Sequence, residues 1–476
     1  MRTALIIPIC AAATLLLGAC APKWRTIPDD AQVQSPATWS IPAGSTALSV
    51  AVRWWEGFGN AELNRRVDAA LAHNANLQVA GARVAAARAQ LVQAEGALLP
   101  VLSASVAADA SHTLTAAGIT TSRVIEPQLQ ASWEPDLWGR LSDRKSAADW
   151  QLRASQAERD AVALSVAAST AQAYIDLLAR EAQLAQARKT MDLRKQALEL
   201  VQDQLAHGYI SRLQLTQAEA EYESVRQQIP ALRLSISRQR NALQLLTGEL
   251  PSMAEAREAD DTAAAAALAG QFNRLEMPKV PGMLPSELLA RRPDLAQAAA
   301  QLAASDAAMR VSRAAFLPSV RLSASLGGLY ANALHYDPIR IWDLGGSVLA
   351  PLFDGHRLDA EYDAATARRD QTAYAYRGAA LNAFAEVENA LVGTLRLEEQ
   401  LEGARRRSAV LARSFGYAHD RYEAGYASYL EQLDAQRNQF QAELEVINLR
   451  QSQFQNLIAL YKALGGGWTA ESVVAG

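Results

Sequence analysis

The chain has 476 residues, 50% of them hydrophobic and 20% charged, with a net charge of −4. That balance gives no electrostatic reason to expect a nucleic-acid partner. Two cysteines are present, and Cys10 lies in an N-terminal apolar run, so the mature chain forms no internal disulfide. Length alone suggests two or three domains.

The first residues assign a compartment. Arg2 supplies a short positive start, residues 4–17 are apolar but too few to span a bilayer, and Leu17-Gly18-Ala19-Cys20 ends the run. This pattern resembles a bacterial lipoprotein signal. The resemblance implies cleavage before Cys20 and lipidation of that residue; because Ala21 follows rather than an aspartate, it also implies delivery to the outer membrane.

Beyond this signal the chain reads as two similar halves offset by about 217 residues. Trp54, Trp55 and Phe58, ahead of the first half, read as packing anchors rather than a cofactor box. A helix is expected from Asn76 to the Leu99-Pro100 step. Its counterpart starts at Asp294, where Gln297 completes the spacing of a capping box, and ends at Leu317-Pro318. Alternating stretches follow in each half. In the first, Leu102, Ala104, Val106 and Ala108, then Ile125, Leu129, Ala131 and Trp133, alternate with mostly polar neighbours. In the second, Val320, Leu322, Ala324 and Leu326, then Trp342, Leu344 and Val348, do the same. Each stretch is near the ~9 to 11 residues that a tilted strand needs to cross hydrocarbon.

From Arg140 to Ala206 no proline occurs, which predicts one helix of about 67 residues, roughly 100 Å long. A run from His356 or Arg357 to Ala424 matches it. The tips His207-Gly208-Tyr209-Ile210-Ser211 and Ala424-Gly425-Tyr426-Ala427-Ser428 turn each helix back. Heptads run from Leu215 to Leu246 and from Leu430 to Tyr461, with Arg437 at one core position, and predict antiparallel coiled coils. Pro230 predicts a kink in the first return helix only. A short helix plus a return helix roughly equals one long helix, so the two should stack end to end. Alanines 263–267 read as low-complexity and Met277-Pro278-Lys279-Val280-Pro281-Gly282 as a loop, both within a collar. The expected boundaries are a signal at 1–19, a lipid-anchored collar segment at 20–75, a first repeat at 76–250, a collar linker at 251–293, a second repeat at 294–465 and a tail at 466–476.

Four strands cannot close a barrel, and open edges are not tolerated in lipid, so chains must pool their strands. Two chains give eight strands and a filled bore; three give twelve and a water-filled lumen, which a polar inner face favours. The expected fold class is therefore mainly α with a small β part. Coiled-coil hairpins form an α-barrel, and four strands per chain enter a trimeric twelve-stranded transmembrane β-barrel.

Three segments carry a family resemblance: Trp54-Trp55-Glu56-Gly57-Phe58-Gly59-Asn60, the run from Leu284-Pro285-Ser286-Glu287 to Arg292-Pro293-Asp294-Leu295, and the run from Arg421-Tyr422-Glu423 to Gln436-Arg437. Over nearly all of its mature length the chain resembles outer-membrane efflux channels of the TolC and OprM type, most closely their lipoprotein branch, the NodT group. The resemblance implies a homotrimer docked to a periplasmic adaptor and an inner-membrane pump of the RND type. It places docking at the tips, hence at Gly208, Tyr209, Ser211, Gly425, Tyr426 and Ser428. The 285–291 stretch itself reads as a structural turn of helix ended by Pro293.

Glu431 and Asp434 stand i,i+3 on one helix face, so three copies set six acids around a mouth. The plainer reading is solvated charge, with Asp434 paired to Arg437. The resemblance implies a periplasmic gate, since both acids fall on positions where acidic rings line the constriction. Tyr422 falls on a gate tyrosine, and Gln214 stands where its aspartate partner would be, which makes any link an uncharged hydrogen bond. An enzyme is not expected: the six histidines form no i,i+4 pair, Glu62 replaces the third glycine after Gly57 and Gly59, and no cofactor site is legible. The alternatives are a structural coiled-coil lipoprotein and the exit duct of a type I secretion system.

Overall fold

The computed structural model describes residues 22–40, 51–116, 118–251, 262–280 and 284–468, with only the backbone at 115 and 262–266. Cys20 lies outside the described residues. Two short helices open the structure, α1 (Ala61–His73) and α2 (Ala75–Gly96). Strands β1 (Val101–Thr115) and β2 (Gly118–Trp133) then lead into α3 (Arg140–Ala206). The first return consists of α4 (Arg212–Arg226) and α5 (Gln228–Thr247); α6 (Thr262–Arg274) and α7 (Pro285–Arg291) follow. The second half repeats the order with α8 (Pro293–Ala314), β3 (Ser319–Ala331), β4 (Ile339–Leu349), α9 (Arg357–Glu423) and α10 (Tyr429–Ala463). The fold is mainly helical with one small antiparallel sheet of order β1-β2-β3-β4.

Both long helices run unbroken for 67 residues, as the absence of proline requires. The first return is split at Gln227, three residues before Pro230, whose ring and missing N–H prevent a continuous helical ladder. Proline sits in the first turn of α5, where a missing donor costs least. The second return has no proline and continues for 35 residues.

Two expectations need correction, and a third gains a conformation. The first short helix is capped by Asn74, not opened at Asn76: the Asn74 carboxamide oxygen accepts from the N–H of Asn76 at 3.0 Å. Asp294 forms no capping box with Gln297: the helix begins at Pro293, and the Asp294 carboxylate accepts from the Arg292 guanidinium at 3.0 and 2.7 Å and from the Leu295 N–H at 3.0 Å. The alanine-rich run at 263–267 lies within helix α6, in keeping with alanine being the strongest helix former.

The chain folds as two compact units. One comprises residues up to Val33, Ala82–Gln156 and Gln297–Ala379, and it holds the sheet. Its helical part packs around Met309, Tyr362 and Ala365, with Phe316 against them. The segment from Pro22 is strapped to this core. Tyr362 donates to the Lys23 carbonyl at 3.0 Å, the buried Arg369 donates to the carbonyls of Arg25 and Thr26, and Tyr374 donates to Asp30 at 2.8 Å.

The other unit comprises Gln34–Gly81, Ala157–Ala296 and the chain from Ala380 onward. Trp54, Trp55 and Phe58 are buried there as anchors, with Trp54 stacked on Tyr461 at 5.4 Å. α3 and α10 are joined by polar contacts, among them Gln183 to Asn448 at 2.6 Å and Gln451 to Asp176 at 2.8 Å. Each return helix ends against the start of a short helix. Asn74 caps α2 and donates to the Leu246 carbonyl at the end of α5 at 2.9 Å. Arg292, ahead of α8, donates to the Ala463 carbonyl at the end of α10 at 3.1 Å and to Glu386 at 2.6 Å. A left-handed glycine completes each joint, Gly248 against the His73 carbonyl and Gly465 against the Arg291 carbonyl. The end-to-end stacking expected from helix lengths is thus realised at two matched joints.

Candidate functional site

The sheet separates its two faces by alternation. Cross-strand partners share a face, and the register aligns Leu102, Ala131, Ala324 and Leu344 in one row and Ala104, Leu129, Leu326 and Trp342 in another. Ser103, Gln130, Ser325 and Asp343 form a row on the opposite face. The apolar rows are open to the surroundings: Trp342 and Leu344 are 75% and 76% exposed. Soluble monomers rarely leave such a face uncovered, and an exposed apolar patch of this kind marks a membrane or partner surface.

β1 and β2 span 15 and 16 residues, longer than expected. The apolar alternation stops near Asp109, but the ladder continues through Ser111 opposite Ser122 and Thr113 opposite Thr120. Hydroxyl pairs of this kind are good strand neighbours, so pairing outlasts the pattern that reveals it. Gly327 lets the backbone of β2 approach, since an added methyl carbon there would lie 2.5 Å from the Pro127 carbonyl.

The tips are backbone devices repeated almost atom for atom. At the end of α3 the Tyr209 N–H reaches the Gln204 carbonyl at 2.9 Å and the Gly208 N–H reaches Leu205 at 3.0 Å. At the end of α9 the Tyr426 N–H reaches Arg421 at 2.8 Å and the Gly425 N–H reaches Tyr422 at 3.0 Å. These are paired Schellman turns, each with glycine at φ 77. Ser211 and Ser428 then cap the return helices. Tyr209 and Tyr426 are left 80% and 81% exposed.

Glu431 and Asp434 are both exposed on α10. Glu431 lies 3.4 Å from Arg421, and Asp434 accepts from Asn438 at 3.1 Å. Asp434 does not take Arg437, whose guanidinium is held instead by Glu221 of α4 at 2.7 Å. Nor does Gln214 serve Tyr422. The tyrosine hydroxyl donates to the Gln204 carboxamide at 3.0 Å, while Gln214 turns back to the Ser211 N–H at 3.1 Å in a capping box.

Sequence reading missed a buried polar centre behind the tip. Glu221 bridges Arg194 of α3, at 2.7 Å, and Arg437 of α10. Arg194 also donates to the Glu221 carbonyl at 2.7 Å and to Ser224 at 2.9 Å. Burial lowers the Arg194 pKa, whereas the hydrogen bond that Arg437 donates to Glu221 raises that of Arg437. Nearby, Tyr429 is pushed up to about 12, first by burial and then by Tyr422 and Glu221. The one available signal was a charged residue, Arg437, in a heptad core position. Among the described residues no cluster of three or more His, Cys, Asp or Glu is placed to hold a metal ion.

A family model of outer membrane efflux proteins matches residues 67–249 and again 284–466. The chain is 34% identical over 469 residues to the pyoverdine export outer membrane protein OpmQ of Pseudomonas aeruginosa, covering 96% of each. It is 30% identical over 416 residues to the cation efflux system protein CusC of Escherichia coli K12, covering 87% of this chain and 88% of that one. Among solved structures, the outer-membrane channel OprN superposes with a TM-score of 0.83 at 27% identity, over 94% of this chain and 99% of that one. Two matches to one family over both halves, and relatives aligned along nearly their whole length, leave a single assignment: the chain belongs to the outer membrane efflux protein family and is an efflux channel of the outer membrane.

Proposed function

We propose that three copies of this chain form a passive exit duct across the outer membrane and periplasm, fed by a periplasmic adaptor and an inner-membrane pump of the RND type. The observation that carries this is the sheet: an exposed apolar face, a polar face behind it, and β1 and β4 at the two ends of the strand order with unpaired outer edges. Such edges survive in hydrocarbon only when paired, and β1 of one protomer against β4 of the next closes twelve strands around a polar lumen. Cys20 carries the lipid anchor. The repeats at 76–250 and 294–465 are the building units, with 20–75, 251–293 and 466–476 as collar, a reading supported by the matched tips and joints.

In this reading Gly208, Tyr209, Ser211, Gly425, Tyr426 and Ser428 dock the adaptor, their exposed tyrosines held on rigid turns. Glu431 and Asp434, three copies of each, line the gate, with Tyr422 and Gln214 beside them. The relatives' names divide between pyoverdine export and cation efflux, so the duct is passive and its cargo is set by the pump. Native mass spectrometry of detergent-solubilised protein should give the mass of three chains, and that species should conduct in planar bilayers. A monomer with full conductance would overturn the proposal.

A further inference from the structure

We propose that Arg123 and Arg340, on the lipid-facing side of the sheet, bind the phosphates of an anionic glycolipid of the lipid A class in the outer leaflet; this rests on the membrane reading above. The alternation sorts the charged residues of the four strands by sign. Asp109, Glu126 and Asp343 stand on the polar face together with Arg321, whereas the apolar face carries Arg123 and Arg340 and no carboxylate.

Their height is as selective as their face. Arg340 pairs with Gly328, one row beyond Leu326 and Trp342, and Arg123 pairs with Ala110, farther along the β1–β2 ladder. Both therefore lie toward the end where β1 turns into β2 and β3 into β4, away from the strand ends that join the helices. The rows nearer the helices, such as Leu102, Ala131, Ala324 and Leu344, carry no charge. Asn332 fixes the β3–β4 connector beside Arg123, accepting the Arg123 N–H and donating to the Thr121 carbonyl, each at 2.9 Å.

A charge on a lipid-facing strand is costly in the hydrocarbon and nearly free at its boundary. Arginine reaches that boundary on its long stem and offers a planar fork matched to phosphate. Two strands and two rows separate the arginines, roughly 15 Å between their Cα positions. That spacing suits a headgroup with two phosphates rather than one inorganic ion. An acylated ligand also fits, because the apolar rows below the arginines take its chains.

The test compares the wild-type protein with R123Q/R340Q by native mass spectrometry in the presence of bisphosphorylated lipid A, its dephosphorylated form, or inorganic phosphate. Wild type should retain the phosphorylated lipid at least ~10-fold over the dephosphorylated one, and the double variant should lose that preference. R321Q, on the polar face, should keep it, and millimolar inorganic phosphate should not displace the lipid. Equal retention of both lipids by wild type, an undiminished preference in R123Q/R340Q, or displacement by inorganic phosphate would overturn the proposal. Planar-bilayer conductance of the same samples separates the two readings. A conducting wild-type channel with no lipid preference defeats this inference alone, whereas a wild type that never conducts defeats the membrane reading and this inference with it.

Discussion

The two return helices share their punctuation and differ in their chemistry. Each begins after a left-handed glycine and a serine cap and ends at a left-handed glycine, yet the first is broken at Gln227 and the second is not. At the tip, Gln214 and Gln217 of the first stand where Glu431 and Asp434 stand in the second. Backbone conformation is held in common because glycine alone enters the left-handed region cheaply, whereas charge is free to diverge on an exposed face. The comparison separates what builds the hairpins from what tunes them.

The glycines break that comparison most severely, because the same φ meets different surroundings. A methyl carbon at Gly465 or Gly248 would lie 1.9 Å from the Arg291 carbonyl oxygen or 2.6 Å from that of His73, whereas at Gly208 and Gly425 it meets nothing within 4 Å. Gly465→Ala and Gly248→Ala should each cost more than about 3 kcal/mol in denaturant melts. The tip substitutions should cost about 1 kcal/mol, the strain of a left-handed alanine alone. Equal losses at joint and tip would show that the joints are not closely packed. Next in size is Glu221→Gln, which leaves Arg194, with only 4% of its side chain exposed, facing Arg437 without the shared carboxylate. A loss of about 3 kcal/mol is expected, checked by the same melts.

Acid should distinguish the joints. Burial works against the Asp294 charge, but the Arg292 guanidinium outweighs it and holds the carboxyl below its ordinary value of 3.8. A depressed carboxylate contributes stability that is complete above the unfolded value and is lost as pH falls through the folded one. The second joint should therefore loosen below about pH 3.8 by at most ~1 kcal/mol, since the Asp294 side chain is 42% exposed. The Asn74 joint contains no titrating cap. Hydrogen exchange of residues 293–297 should accelerate in acid relative to residues 75–78, and a parallel change at both joints would refute the assignment.

What was legible in the sequence was local. Gly208 and Gly425 mark turns closed within six residues, and Pro230 breaks its own helix. The strand faces were readable because alternation needs no partner, although the strand ends were not, since Ser111 and Thr113 are held by residues across the ladder. The joints and the polar centre depend on distant chain. Asn74 meets Leu246 across 172 positions, Arg292 meets Ala463 across 171, and Arg437 meets Glu221 across 216. Asp294 has the spacing of a cap, but the helix already begins at Pro293, and the Asp294 carboxylate is shared between the Arg292 guanidinium and the Leu295 N–H. In the region proposed as a gate, the resemblance paired Tyr422 with position 214, whereas Gln204, ten residues earlier and on the other side of the tip, is the residue within reach.

The smallest effect on stability and the most telling one on transport belongs to the acids that distinguish the second tip. Both are solvent-facing, and the Glu431 side chain is 45% exposed where it meets Arg421 at 3.4 Å, so E431Q/D434N should change stability by no more than about 0.5 kcal/mol. Single-channel recordings should nonetheless show a weaker cation preference and weaker block by divalent cations, because in the proposed trimer six clustered carboxylates would raise the local cation concentration at the mouth. The complementary variant Q214E/Q217D gives the first tip the chemistry of the second while keeping the capping box, which accepts glutamate as readily as glutamine. It should strengthen both effects. If neither variant shifts selectivity while the trimer stays intact, the constriction lies elsewhere along the duct, and the acids of the second tip are solvated charge, as the plainer reading of Glu431 and Asp434 holds.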